Sequence, residues 1–219
     1  RGASSGGNPT GSVNFGQRAF SHQPSGFVGL CTSELPTPTI KKGNAYFDVK
    51  TYTGTASSHA ITGLDFSPNL VMIRSRSVSG RNTSVFDTVR GANAELVTTG
   101  TSAEATGDTE LLKSFDANGF TLGTNAGVNG GSGETFVAWS WKEAPAAGFD
   151  IISYTGNDAA DRDIPHNLGV APEFWVVKAR NATQNWFSGF YDVGKNKYLL
   201  WESSNAAATN TVVWSDELP

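Results

Sequence analysis

One octamer occurs twice in this chain and constrains everything else. Phe47-Asp48-Val49-Lys50-Thr51-Tyr52-Thr53-Gly54 returns 102 positions later as Phe149-Asp150-Ile151-Ile152-Ser153-Tyr154-Thr155-Gly156. Five identities could arise by chance, so the test is whether the likeness continues downstream. Leu64 and Pro68 recur as Leu168 and Pro172, and Leu70 to Arg76 recurs as Phe174 to Arg180. After a drifting middle, Thr101 to Thr106 returns more loosely as Ser204 to Thr209. This is a tandem duplication of a unit too long for a solenoid repeat.

The duplication divides 219 residues into a leader (1–41), a first module (42–146) and a second module (147–219). Only 16% of residues are charged and 25 are glycine. That composition argues for short strands and tight turns, so the expected fold class is all-β, as tandem antiparallel β-sandwich modules. The sixteen Lys and Arg are scattered singly under a net charge of −4, which leaves no basic stripe for nucleic acid. No apolar run approaches the ~20 residues of a membrane span, and no signal-peptide pattern opens the sequence. Cys31 stands alone and reads as a small buried apolar residue.

Residues 1–11 are rich in Gly, Ser and Asn, which predicts a flexible or surface-tracking segment, and Ser12 to Phe20 reads as a short strand leading to a turn. In the first module Tyr46 to Thr51 alternates as a half-buried strand, Ile61 to Pro68 reads as a turn region, and Leu70 to Arg76 reads as a central strand. Asp116-Ala117-Asn118-Gly119 between two apolar triplets predicts a hairpin, because Asn-Gly supplies the turn conformation that two twisted strands need. Asn125 to Gly133 reads as a glycine-rich loop. Thr135 to Trp141 reads as the last strand, with Val137, Trp139 and Trp141 on one face. In the second module Trp214 aligns roughly with Leu111, which predicts an incomplete copy: either the natural chain runs past Pro219 or another chain completes the sheet.

No catalytic constellation emerges. His22, His59 and His166 fall in separate segments without metal-ligand spacing, and His166 reads as capping backbone groups of its own turn. Ser132 lacks the surroundings of a nucleophile elbow, and Glu134, Glu143, Glu173 and Glu202 are isolated acids rather than a pair. Asp158, Asp161 and Asp163 form an acidic cluster that could hold calcium. The glycine and distal glutamate of a calcium loop are missing, so a solvated turn is the favoured reading and no metal or cofactor is expected. The aromatics are the remaining lead. Trp186 and Tyr191, beside Gln184 and Asn185, have the makings of a sugar-stacking surface, set against packing as the commoner use of tryptophan in sheets.

Two resemblances add context. Asn14-Phe15-Gly16-Gln17-Arg18-Ala19-Phe20, with Gly26-Phe27, Leu30-Cys31-Thr32 and Leu35-Pro36, resembles the closing segment of SPRY-type, concanavalin-like β-sandwiches of bacteriophage structural proteins. The tandem pair is similar to a repeated module of uncharacterised function in virion and tail-fibre proteins of marine and cyanobacterial phages. That likeness is carried by Phe149-Asp150, Tyr154-Thr155-Gly156, Ile164-Pro165-His166-Asn167-Leu168-Gly169, Pro172-Glu173 and Phe136-Val137-Ala138-Trp139-Ser140-Trp141. These resemblances imply a virion structural protein, in a fibre or tail, acting in assembly and host attachment. Its partners would be other copies of itself and other virion proteins, and it would be made in the host cytoplasm. The alternative is a carbohydrate-binding, receptor-recognising module with a host-surface glycan as partner; an enzyme such as a glycan hydrolase ranks last. Neither nucleic acid nor membrane is an expected partner.

Overall fold

Among the described residues, period-2 alternation broken by frequent turn residues resolves into twelve short strands. The computed structural model describes residues 13–14, 18, 20–22, 24–27, 29, 37–159, 162–194, 196–210 and 213–214. Residues 1–41 and 42–219 are two compact units. Among the described residues of the first, Asn14 donates from Nδ2 to the Arg18 carbonyl and accepts from the Arg18 N–H. Cys31 and most of the expected strand from Ser12 to Phe20 lie outside the described residues.

The larger unit runs β1 (Phe47–Thr53), β2 (His59–Thr62), β3 (Leu70–Ser75), β4 (Thr83–Asp87), β5 (Gly91–Val97), β6 (Leu112–Asp116) and β7 (Gly119–Leu122). There follow a single helical turn α1 (Ala126–Asn129), β8 (Thr135–Trp141), β9 (Phe174–Lys178), β10 (Trp186–Phe190), β11 (Lys197–Leu200) and β12 (Ala208–Thr209). All pairings are antiparallel, in three sheets of order β1-β8-β3-β4-β5, β2-β7-β6 and β12-β11-β10-β9.

The first two sheets close on one apolar core. β8 turns Phe136 and Ala138 inward, fully buried, and leaves Val137, Trp139 and Trp141 half-buried on the other face. Val71, Ile73 and Phe86 join them from the five-stranded sheet, while Ile61, Leu112, Phe120 and Leu122 face them from the three-stranded one. Burying each such side chain contributes roughly 1.5–3 kcal/mol, which is what holds a three-stranded sheet of four- and five-residue strands in place. β3, apolar at its start and ending in Arg74 and Ser75, is the middle strand of its sheet. The β6–β7 hairpin pairs Asp116 with Gly119 across Ala117 and Asn118. One expectation is corrected: Ile61 and Thr62 belong to strand β2 rather than a turn, because β7 offers a four-rung ladder to His59–Thr62 that no local pattern announces.

The four-stranded sheet of β9 to β12 repeats the β3–β4–β5 meander rung for rung. Leu70 pairs Asp87, Met72 pairs Val85 and Arg74 pairs Thr83; Phe174 pairs Phe190, Val176 pairs Ser188 and Lys178 pairs Trp186. The next rungs correspond as well: Val85 with Leu96 and Ser188 with Leu199. Even the isolated bridge Glu95–Ala105 has its counterpart in Tyr198–Ala208. The octamer does not repeat in this way. Phe47–Thr53 is a strand paired along its whole length to β8, whereas Phe149–Thr155 is in no strand. The tyrosines at the matching octamer position differ: Tyr52 is half-buried and stacked on Phe136, while Tyr154 is 46% exposed. The side-chain hydrogen-bond and ring partners of Tyr52 lie in α1, β2 and β8, and the described residues of the second module contain no equivalent of those elements.

Candidate functional site

The aromatic set singled out in sequence does not assemble into one surface. Trp186 opens β10, is only 8% exposed, and donates its indole N–H to the Val97 carbonyl at 2.9 Å. It is a packing residue, so its reading as a sugar platform is corrected. The reason is positional: Trp186 repeats Thr83, which is also buried. Gln184 is exposed, but its backbone N–H is tied to Thr101 O; Asn185 is half-buried. Tyr191 is 48% exposed and sits past the other end of β10, roughly 17 Å from Trp186 at about 3.3 Å per residue. Of the acidic trio, Asp158 and Asp163 are exposed and Asp161 lies outside the described residues; among the described residues no cluster of three potential metal ligands occurs. His166 Nδ1 accepts the Leu168 N–H at 3.2 Å, a local cap.

The densest polar construction lies where the first octamer ends. Tyr52 Oη donates to Val128 O at 2.6 Å, and burial, then the nearby Glu134 carboxylate, push the phenol far above its ordinary value. Gly54 N–H donates to Glu134 O at 2.8 Å, and Gly130 O lies 1.8 Å from where a Cβ on Gly54 would stand. Asn129, fully buried at the end of α1, donates from Nδ2 to Ser57 O and Gly123 O, both at 2.6 Å, and accepts the Thr55 N–H at 2.9 Å. One amide thereby holds the β1–β2 connection against the segment leading into β8. Beside it lies an open depression of about 520 Å³ lined in part by Glu134, whose carboxylate takes a two-pronged bond from Arg81 at 3.1 and 3.2 Å. Both oxygens face the guanidinium, so the pair is a clamp on the glycine-rich loop rather than a free acid awaiting substrate.

A second construction joins the two meanders. Arg90, 6% exposed at its side chain, donates Nε to Asp87 Oδ2 at 2.5 Å, Nη1 to Glu104 Oε2 and Ala94 O, and Nη2 to Val85 O. Arg180, just past β9, reaches the same Glu104 with two bonds of 2.8 and 3.0 Å and donates to Ser153 Oγ. Burial works against ionising Glu104, yet the bonds from Arg180 and Arg90 hold its carboxyl below the usual range. Two backbone bonds, Gln184 N–H to Thr101 O and Glu104 N–H to Arg180 O, run beside this network.

An acid pair sits at the same joint. Burial, and then the facing Asp150 carboxylate, raise Glu143 above its ordinary value. Asp150 is held low despite its own burial, because the Asn167 N–H at 2.6 Å, Glu143 and the Ile151 N–H all favour its anion. The signs differ. Glu143's contribution is full below the ordinary glutamate value and is lost as pH rises through its raised one. Asp150's is present above the ordinary aspartate value and is lost as pH falls through its lowered one. Glu143→Gln is therefore expected to raise the urea midpoint at neutral pH, with the gain shrinking towards about pH 4, where glutamate is ordinarily half-protonated. A gain of equal size at both pH values would show that the pair is not the cause.

Among the described residues, no helix is long and apolar enough to cross a membrane. Sequence reasoning left Asn129, Arg90 and Glu104 unremarked. Their only local signals were an Asn inside a glycine-rich run and single charges beside strand ends. No curated protein and no solved structure matches the chain. The chain belongs to the family described as Domain of unknown function (DUF7483), which matches residues 42–219.

Proposed function

We propose that the chain is a structural protein of a bacteriophage particle, a fibre or tail-associated component that acts in assembly and host attachment. The observation that carries this reading is serial construction: two meanders of equal register set in tandem and locked by Glu104 between Arg90 and Arg180. A spacer needs repeated units whose joints resist bending, and a carboxylate shared by two guanidiniums supplies such a joint. The resemblance of the octamer and of the β8 sequence to tail-fibre modules adds the context. On this reading the protein works in the virion, its partners are other copies and other virion proteins, and it carries no catalysis, cofactor, nucleic-acid or membrane role. Immunogold labelling of purified particles with an antibody to this chain tests it: label along the tail or fibres is expected, and particles free of label would overturn it.

Carbohydrate recognition is the second reading, favoured by the exposed rings of Tyr191 and Trp201, at 48% and 43%. Binding to a glycan array that Tyr191→Ala or Trp201→Ala abolishes would place receptor recognition on this chain itself.

A further inference from the structure

From the end of β3 into the loop before β4 the chain reads Arg74-Ser75-Arg76-Ser77-Val78-Ser79-Gly80-Arg81. Three of its eight arginines fall in these eight residues, with no acid among them, in a chain of net charge −4. Arg74 spends Nη1 on Thr83 Oγ1, and among the described residues neither Arg74 nor Arg76 enters an ion pair. The loop is pinned to the start of β8. Arg76 N–H donates to Thr135 O at 2.7 Å, Thr135 N–H to Ser77 Oγ at 2.9 Å, and Val78 N–H to Ser75 Oγ at 3.1 Å. One wall of the depression beside Glu134 is therefore preformed.

The facing wall is Gly130 to Glu134. Among the described residues no acceptor meets the N–H groups of Gly131, Ser132 and Gly133 or the Ser132 hydroxyl. Ser132 also stands at a φ of 58°, a left-handed conformation that its two glycine neighbours would adopt without strain. A hydroxyl is thus kept where the backbone favours glycine. Glu134 is the one acid lining the depression, and it is turned away from solvent. Its side chain is 6% exposed, and Oε2 lies 2.0 Å from where a Cβ on Gly130 would stand. Its two oxygens hold Arg81 Nε and Nη2, which fixes the plane of the guanidinium and leaves Nη1 without a partner among the described residues. The polar groups left to a ligand are donors: Arg81 Nη1, three amides, and the hydroxyls of Ser77 and Ser132.

We propose that this depression binds an oxyanion group, a phosphate, sulfate or carboxylate, carried on a sugar-sized polar ligand. Arg81 and Glu134 cancel in charge, so the favourable field comes from Arg74 and Arg76 at the same rim and from the unpaired donors. A volume of about 520 Å³ falls among small-ligand clefts, roughly 300–1,000 Å³, and exceeds what a bare oxyanion fills. No aromatic ring lines the depression, so recognition rests on the charged group rather than on stacking. The overall negative charge disfavours a long polyanion, which leaves a ligand of one or two charges. This site is separate from the rings of Tyr191 and Trp201. Its binding is read on the isolated chain, so its failure is distinct from an absence of label on particles.

The test titrates the 15N-labelled full chain with inorganic phosphate, glucose 6-phosphate, glucuronate and glucose at constant ionic strength. Saturable shifts of the 131–133 amides are expected with the acidic probes, tighter for the two sugar acids than for inorganic phosphate, and none with glucose. The tighter of the two sugar acids identifies the preferred group. Arg76→Gln leaves the Arg81–Glu134 clamp intact and is expected to weaken binding about threefold and flatten its salt dependence. Arg81→Lys keeps the charge but loses the fork, for an expected loss of about tenfold. Because Arg81 also secures the loop, Ser132→Gly is the deciding variant: it relieves the backbone, so stability holds or rises, while binding falls about tenfold with the lost hydroxyl. A residue kept only for structure would not separate the two readouts. No saturation up to about 50 mM, equal shifts with glucose, inorganic phosphate binding as tightly as the sugar acids, or parent-like binding in Ser132→Gly would each overturn the proposal.

Discussion

Replacing Arg90 by methionine is expected to remove about 3–5 kcal/mol of folding stability, a large fraction of what a domain of this size holds. Methionine is close to arginine in length and keeps the packing, so the loss is chemical. Asp87 and Glu104 are 6% and 8% exposed at their side chains. Without the guanidinium, Asp87 loses its cation and Glu104 retains only Arg180, while the carbonyls of Val85 and Ala94 lose their donors. A buried carboxylate without a partner costs several times what an exposed ion pair contributes. Arg180→Ala is the control: its side chain is 43% exposed, so despite two short bonds to Glu104 the expected loss is about 1 kcal/mol or less. Urea unfolding separates the two, and pH separates charge from packing. Glu104 is held low in the parent, so its contribution is present above the ordinary glutamate value and is lost as pH falls through its lowered one. In Arg90→Met the Glu104 carboxylate is relieved by protonation, and the gap between parent and variant should narrow towards about pH 4. A gap unchanged with pH would make Arg90 a packing residue.

What was legible beforehand follows from how local each cause is. β8 was readable from end to end, because alternation over seven residues with aromatics on one side admits little else. The β6–β7 hairpin was readable because its turn residues sit in the chain beside the strands they join. β2 was not: His59-Ala60-Ile61-Thr62 is too short to show a period, and its strand character comes from β7, some sixty residues away. Asn129 was hidden for the same reason, since its partners at 55, 57 and 123 are brought to it only by the fold. Trp186 could have been placed correctly. Aligning it with Thr83, inside the strand that follows the first β3, marks it as a ladder position rather than a loop tip. Arg90 and Glu104 are fourteen residues apart and look like two unrelated surface charges until the β4–β5 turn and the Glu95–Ala105 bridge bring them together. The octamer was a poor guide to conformation, because much of what shapes Phe47–Gly54 is supplied by β8 and α1.

That division of labour makes the two glycines of the octamer respond differently to the same change. Gly54→Ala is expected to destabilise by about 3 kcal/mol, at the upper end of overpacking costs, because the new methyl would stand 1.8 Å from Gly130 O and 2.8 Å from its carbonyl carbon. Backbone cannot rotate away as a side chain can, so the 128–134 segment must shift. The shift strains Tyr52 Oη to Val128 O, Gly54 N–H to Glu134 O and Thr55 N–H to Asn129 Oδ1 together. Gly156→Ala meets nothing within 4 Å and is expected to change stability by no more than about 0.5 kcal/mol, or to raise it slightly by restricting the unfolded chain. Urea unfolding of the two variants side by side measures the contrast. A loss of stability at Gly156 as large as that at Gly54 would show that position already packed.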